Sequence, residues 1–263
     1  MIAAVVPVKN EGTSLAKVLE TLSCSNVDII IPVLNGCSDE SMAITKKNYK
    51  KKITPIVFGQ PLGIDIPRAV GAKQALDMHA SVVVFMDGDM RGPILNQINM
   101  LIEGIRSRGL DMALTDCYQN YFNSDPLAQL VLYFRKELNM ALGLFPEIGV
   151  ACPSHGPHAV SCKLLREIPL KELAIPPVSL ALAGKAELHI GVAASIPHCL
   201  LGSNLRSQKH VTRVAETIIG DCIEALEAYN GQPRTRTYKG QVFLGYHPNR
   251  DFKALANFLD PKK

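Results

Sequence analysis

Val82-Val83-Val84-Phe85-Met86-Asp87-Gly88-Asp89 joins an unbroken apolar run to two carboxylates one residue apart. An apolar run of strand length with no polar face suits a strand covered on both sides, as in a largely parallel sheet. Side chains at i and i+2 of an extended segment project to one side, so Asp87 and Asp89 can face one ligand. Two like charges held there are costly unless a cation pairs with them. Their hard oxygens suit Mg2+ or Mn2+, which commonly take one or two carboxylates and complete their shell with substrate phosphates.

Outward from this stretch, further apolar runs of strand length lie at 2–8, 27–34 and 53–58, with the quoted one at 81–86. Helix-like segments at 13–22, 40–49 and 66–78 separate them. In the first of these, Leu15, Val18, Leu19 and Leu22 recur at helical spacing behind Thr13 or Ser14 as N-cap. The alternation predicts an α/β fold with a mostly parallel central sheet flanked by helices. Open sheets of that kind bind ligands beyond the carboxyl ends of their strands. The runs end there in Pro7-Val8-Lys9-Asn10-Glu11, Asn35-Gly36-Cys37-Ser38-Asp39 and Asp87-Gly88-Asp89.

The second half is less regular. Helices are expected over 127–144 and 211–229, and a strand over 188–196. The long helices could pair between subunits of a homodimer or serve the core of a monomer. Pro153-Ser154-His155-Gly156-Pro157-His158 is a loop whose imidazoles, His155 and His158, could face an acceptor. Pro233-Arg234-Thr235-Arg236-Thr237-Tyr238-Lys239-Gly240 is a basic stretch that reads first as a solvated loop, and otherwise as a cover over an anionic ligand or a partner subunit's surface. Without repeats or a clear linker, the chain reads as a single domain in two subregions, 1–115 and 116–263.

Composition narrows the class. With 47% hydrophobic and 20% charged residues, the 263-residue chain can bury a core, which excludes disorder as its main state. The 28 Lys and Arg against 24 Asp and Glu leave +4, too weak a bias to argue for nucleic acid. The most apolar stretch, 179–201, is broken by Lys185, Glu187, His189 and His198, so no transmembrane span is expected. No basic segment precedes Ile2, and the seven cysteines form no CxxC pair, so reduced thiols and a cytoplasmic location are expected.

Four blocks taken together carry a resemblance. Pro7-Val8-Lys9-Asn10-Glu11, Asn35-Gly36-Cys37-Ser38-Asp39, the segment from Gly63 through Pro67-Arg68-Ala69 to Gly71, and Asp87-Gly88-Asp89 occur in the order and spacing of the family-2-type glycosyltransferases of the GT-A fold. The resemblance covers about the first 90 residues. It implies that Pro7, Val8 and Glu11, with Asn35, Gly36, Ser38 and Asp39, line the base and ribose pocket of a nucleotide-sugar donor. It implies that Arg68 approaches base or phosphate, that Asp87 with Gly88 meets ribose or metal, and that Asp89 binds the Mg2+ or Mn2+ bridging the pyrophosphate. Pro67-Arg68-Ala69 departs from the family's Ala-Arg-Asn, and Cys37 interrupts its Gly-Ser pair.

The second half is similar to glucosyl-3-phosphoglycerate synthases and their mannosyl relatives, on Leu144-Phe145-Pro146-Glu147, on residues 154–168 and on Gln208-Lys209-His210-Val211-Thr212-Arg213. That similarity implies His210 as a third metal ligand and Arg213 on the donor phosphates, with His198, directly after the expected strand, as the competing ligand. Gly156-Pro157 stands where those enzymes have Gly-Glu, and no Gly-Arg-Val-Thr segment is present.

The function so implied is transfer of a sugar from a UDP- or GDP-linked donor, bound by 1–115, to a small hydroxyl acceptor such as a phosphoglycerate-like anion, bound by 116–263. Asp89 and Arg213 would be its catalytic residues. Arg68 and Lys73 would further offset charge on the leaving diphosphate, and Glu137 or Glu147 would be the base if the reaction inverts. The nearer relatives retain configuration, the outcome favoured here. A polyprenyl-phosphate sugar synthase and a non-catalytic nucleotide-binding relative are the alternatives; a sugar-nucleotide pyrophosphorylase would need a Gly-rich start that 2–12 lacks.

Overall fold

A computed structural model describes residues 1–47, 52–119, 125–204 and 207–260. Its central sheet has the order β3-β2-β1-β4-β6-β5-β7. These strands are β1 (Ile2–Val8), β2 (Ile29–Asn35), β3 (Ile56–Phe58), β4 (Val82–Phe85), β5 (Met112–Asp116), β6 (His158–Ser161) and β7 (Ile190–Ser195). The pairs β1–β2, β1–β4, β2–β3 and β5–β7 are parallel, and β6 runs antiparallel between β4 and β5. The sheet is therefore the mostly parallel one expected.

Helices α1 (Leu15–Cys24), α2 (Ser41–Lys47), α3 (Ile66–Asp77) and α4 (Leu95–Arg106) belong to the first half. They are followed by α5 (Pro126–Ala141), α6 (Phe145–Ile148), α7 (Cys162–Glu167), α8 (Pro176–Lys185), α9 (Gln208–Tyr229) and α10 (Phe252–Leu259). Alternate residues of β1 feed opposite layers, as strand geometry dictates. Ala3 and Val5 join a core with α3, α8 and α9, while Ala4, Val6 and Val8 join one with α1 and α4. Strand order reverses between β1 and β4, which opens a crevice beyond their carboxyl ends.

Several expectations are adjusted. The helix expected over 40–49 is observed as Ser41–Lys47, and Asn48 and Tyr49 lie outside the described residues. The helix expected over 127–144 stops at Ala141, where Gly143 takes a left-handed φ of 72° before Pro146 opens α6. The long helices α5 and α9 pack on each other within one chain. His158 begins strand β6 rather than ending a loop.

Gly71 sets the depth of α3 on the sheet. A Cβ there would lie 2.2 Å from Val5 Cγ1. Gly71→Ala is expected to cost about 1–3 kcal/mol by overpacking, read as a lower urea midpoint with an unchanged slope.

Candidate active site

The crevice at the β1/β4 edge is a cavity of about 630 Å3. That is the size range of small-ligand sites. From the first half of the chain, the cavity lining includes Pro7, Val8, Glu11, Arg68, Asp87 and Asp89, with Asn35 and Gly88. From the second half it includes Tyr118, Arg135, Ser154, His155, His198 and His210. Pairing with β1 continues past Phe85, since Met86 N–H donates to Val5 O and Gly88 N–H to Pro7 O. A Cβ on Gly88 would sit 3.0 Å from that Pro7 oxygen, so glycine permits the close approach that presents both aspartates.

Arg68, the family-like arginine, is 5% exposed and not on a solvated helix face. Its Nη2 donates to Asp87 Oδ1 at 2.6 Å and its Nε to Asp65 Oδ1 at 3.1 Å. Burial pushes the Asp87 pKa above the ordinary carboxylate range; Arg68 opposes this, and the charges of Asp89 and Asp65 add to it. Asp87 and Asp89 are two hard oxygen donors one residue apart in the cavity lining, a donor type that fits a divalent cation. Glu11 Oε2 accepts from Asn204 Nδ2 at 3.1 Å.

Other predicted donor residues tie loops together. Asn35 donates to Gly63 O at 3.0 Å and accepts from Leu62 N–H at 2.6 Å, fixing the loop before α3. Gly36, Ser38 and Asp39 lie outside the cavity lining. Gly36 has φ +64° against Pro61 and its carbonyl accepts from Lys9 Nζ. Ser38 N–H donates to Asn10 Oδ1 at 2.9 Å. Asp39 accepts from Gly12 N–H at 2.8 Å and Ser41 N–H at 3.0 Å. Burial acts to raise the Asp39 pKa, but hydrogen bonds from Ser41 and Gly12 outweigh it and hold the carboxyl below its ordinary value.

The expected three-ligand metal set is not assembled. Among the described residues, Asp87 and Asp89 do not come together with His198 or His210 as a group of three within 4.8 Å. His198 Nδ1 is 3.0 Å from His155 Nε2, and His210 Nδ1 is 2.9 Å from the Tyr246 hydroxyl. The group that does meet the criterion, Asp221, Glu224 and His247, has its carboxylates bonded to Arg236 and Arg250. Arg213 also departs from expectation. It lies outside the cavity lining, 4.0 Å from the Tyr246 ring centroid, and donates to Gly245 O and Asn249 Oδ1 at 3.0 Å each.

Of the two loop histidines, His155 lines the cavity and His158 does not. His158 is buried in β6, stacked on Phe85 at 4.9 Å. Burial, helped by the Arg68 charge, pushes its pKa well below the ordinary imidazole value. Lys73 is bound to Asp77 at 2.6 Å, and Glu137 and Glu147 are exposed; none of the three lines the cavity. The basic stretch at 233–240 is mostly exposed, as a solvated loop would be, and none of it lines the cavity; Arg236 is the exception at 3% exposed, and both it and Arg234 are ion-paired to acids of the helical layer.

Sequence reading missed one buried charge of the cavity lining. Arg135 lies on the buried face of α5 among Val131, Phe134 and Leu138, and is 1% exposed. Its Nη2 donates to Ser154 Oγ at 3.2 Å, while Nε and Nη1 have no hydrogen-bond partner among the described residues. The signal was present: a lone arginine inside an apolar helical stripe. Tyr118 stacks on His155 at 5.2 Å beside it. Burial, with Arg135 and His198 adding, keeps the His155 pKa well below its ordinary value, and burial with Arg135 lowers that of His198.

Neither the protein-family models nor the curated proteins give a match. Solved structures do. Glucosyl-3-phosphoglycerate synthase from Mycobacterium tuberculosis, in complex with Mn2+, UDP and glucosyl-3-phosphoglycerate, matches with TM-score 0.64 and 17% identity, covering 89% of this chain and 81% of that one. Its complex with Mn2+, UDP-glucose and phosphoglyceric acid matches at 0.63, with 18% identity, over 89% and 80% of the chains. The complex with Mg2+ and UDP matches at 0.65, with 17% identity, over 89% and 80%. The chain has the GT-A fold of these glycosyltransferases. Among its described residues no helix is long and apolar enough to cross a membrane.

Proposed function

We propose that this chain is a metal-dependent glycosyltransferase that moves a hexose from a UDP- or GDP-linked donor to the hydroxyl of a small anionic acceptor. The observation that carries this reading is the make-up of the cavity lining: it holds both Asp87 and Asp89 and also the buried guanidinium of Arg135, whose Nε and Nη1 are without a hydrogen-bond partner among the described residues. Structural relatives that bind UDP-glucose and phosphoglyceric acid, or UDP-glucose and glycerol 3-phosphate, with Mn2+ support it.

Asp87 and Asp89 would hold Mg2+ or Mn2+, whose charge stabilises the departing diphosphate. Arg68 holds Asp87 in place through Oδ1. Pro7 and Val8 give the base an apolar shelf, and Glu11 accepts hydrogen bonds from donor hydroxyls. Residues 1–115 form the donor half, and 116–263 the acceptor-binding and site-closing half.

At the acceptor end Arg135 would bind a phosphate or carboxylate. His155 and His198, kept neutral by burial and Arg135, offer hydrogen bonds to a hydroxyl without adding charge. With Arg213 bound to the C-terminal segment, neutralising the diphosphate falls to the metal.

Arg135→Met tests the acceptor end. A charge-assisted hydrogen bond contributes roughly 1.5–3 kcal/mol, so affinity for phosphoglyceric acid should fall about tenfold or more. UDP affinity should not change. Removing an unpaired buried charge should leave the melting temperature equal or higher, because a buried charge without a counter-ion is itself costly. Unchanged affinity for phosphoglyceric acid and glycerol 3-phosphate would remove the anionic acceptor from the reading.

A further inference from the structure

The Asp87–Arg68 contact is one end of a buried chain of ion pairs that runs into the C-terminal segment. Arg68 Nε meets Asp65 Oδ1 at 3.1 Å, and Asp65 Oδ2 meets Arg250 Nη2 at 2.9 Å. Arg250 also donates to both Asp221 oxygens at 2.7 Å. Arg236 continues from Asp221 at 2.6 Å to Glu224 at 2.7 Å, and Arg234 from Glu224 at 2.7 Å to Glu172 at 2.9 Å. The Arg250 side chain is 0% exposed.

The same segment grips the loop that launches α3. Asp251 N–H donates to Leu62 O at 2.8 Å and Arg250 Nε to Ile64 O at 3.3 Å. A Cβ on Gly63, whose φ is +95°, would lie 2.3 Å from Asn249 O. The links from Asp65 to Arg68 and Asp87 use separate atoms, while Arg250 Nη2 is shared by Asp65 Oδ2 and Asp221 Oδ2. Asp65 gives one oxygen to each arginine, and Arg68 gives Nε to Asp65 and Nη2 to Asp87. With Arg250 removed, both Asp65 oxygens become available to Arg68. A two-point carboxylate–guanidinium pair is the favoured geometry, and it would draw Nη2 away from Asp87.

We propose that Arg250 is a positioning residue for the donor end of the site: through Asp65 it fixes Arg68 against Asp87, so that the C-terminal segment sets the geometry of the metal-binding aspartate. This role rests on the donor reading above. Lysine is a poor replacement, because its shorter stem and single ammonium cannot keep the two-nitrogen grip on Asp221 while also reaching Asp65 Oδ2 and Ile64 O.

The test is calorimetric titration of UDP with Mn2+, on full chains shown by circular dichroism to be folded at the temperature used. Residues that orient metal ligands typically change metal affinity 10- to 100-fold, so Arg250→Lys should weaken Mn2+-dependent UDP binding about tenfold. Binding of phosphoglyceric acid should be unchanged, a split that general loosening would not produce. In an Arg68→Met background the Arg250→Lys loss should vanish, since the path runs through Arg68. Gly63→Ala, which pushes the segment off the loop without removing a charge, should give the same donor-only loss and decides the matter if Arg250→Lys does not fold. Unchanged UDP affinity in a folded variant, or an undiminished loss in the Arg68→Met background, overturns the role of Arg250. A wild-type chain that binds neither UDP nor GDP with Mn2+ overturns the donor reading and this role with it.

Discussion

Asp221→Ala is expected to lower the melting temperature by on the order of 10 °C, the largest stability effect foreseen for a single substitution in this chain. Asp221 is 1% exposed and holds two buried arginines, Arg236 at 2.6 Å and Arg250 at 2.7 Å. Deleting one partner of a buried pair costs about 3–5 kcal/mol, because the remaining charge keeps its desolvation penalty without its counter-ion. Here two cations lose one shared anion, and Glu224 and Asp65 are already engaged with other arginines. Differential scanning calorimetry measures the change. A decrease of less than about 3 °C would mean that the pairs contribute no more than a typical surface bridge.

Asp89→Ala is expected to remove metal-dependent nucleotide binding, a loss of at least about 100-fold. Two carboxylates are the whole protein-derived donor set proposed for the cation, and Asp87 already gives one oxygen to Arg68. The sign of the pH dependence follows from Asp87, whose pKa burial raises. Metal needs its ionised form, so wild-type Mn2+ affinity should fall as pH drops through that raised pKa, at a higher pH than for an ordinary aspartate. Equilibrium titration of Mn2+ by electron paramagnetic resonance measures both effects. Retained Mn2+ affinity in Asp89→Ala would place the cation elsewhere.

The donor wall was legible because its residues lie in short linear blocks at strand ends. Asp87 and Asp89 are fixed by one strand and the pleat, and the four blocks carry the family's order. What was not legible depends on partners far apart in the chain. The resemblance put Arg68 at base or phosphate, but not its pairing: it is buried between Asp65 and Asp87, which lie three residues and nineteen residues away in the chain. Arg234 and Arg236 lie in a basic stretch that is largely exposed, yet Arg236 is buried and both guanidiniums are held by Glu172, Asp221 and Glu224, partners remote from them in the chain. Strand β6 escaped notice because four residues opening on His158, after a Pro- and Gly-rich loop, carry little strand signal alone; its two neighbours in the sheet define it. Arg213 fits a sequence spacing, yet Tyr246 and Asn249 engage its guanidinium.

The proposal that the β1/β4 aspartates bind a metal–nucleotide complex is tested most directly by calorimetric titration of UDP and of GDP, each with and without Mn2+, on the wild-type chain and on Asp89→Ala. The proposed function predicts that one nucleotide binds the wild type only when Mn2+ is present, and that Asp89→Ala binds neither. Binding that ignores both the metal and Asp89, or no binding of either nucleotide to the wild type, would contradict it.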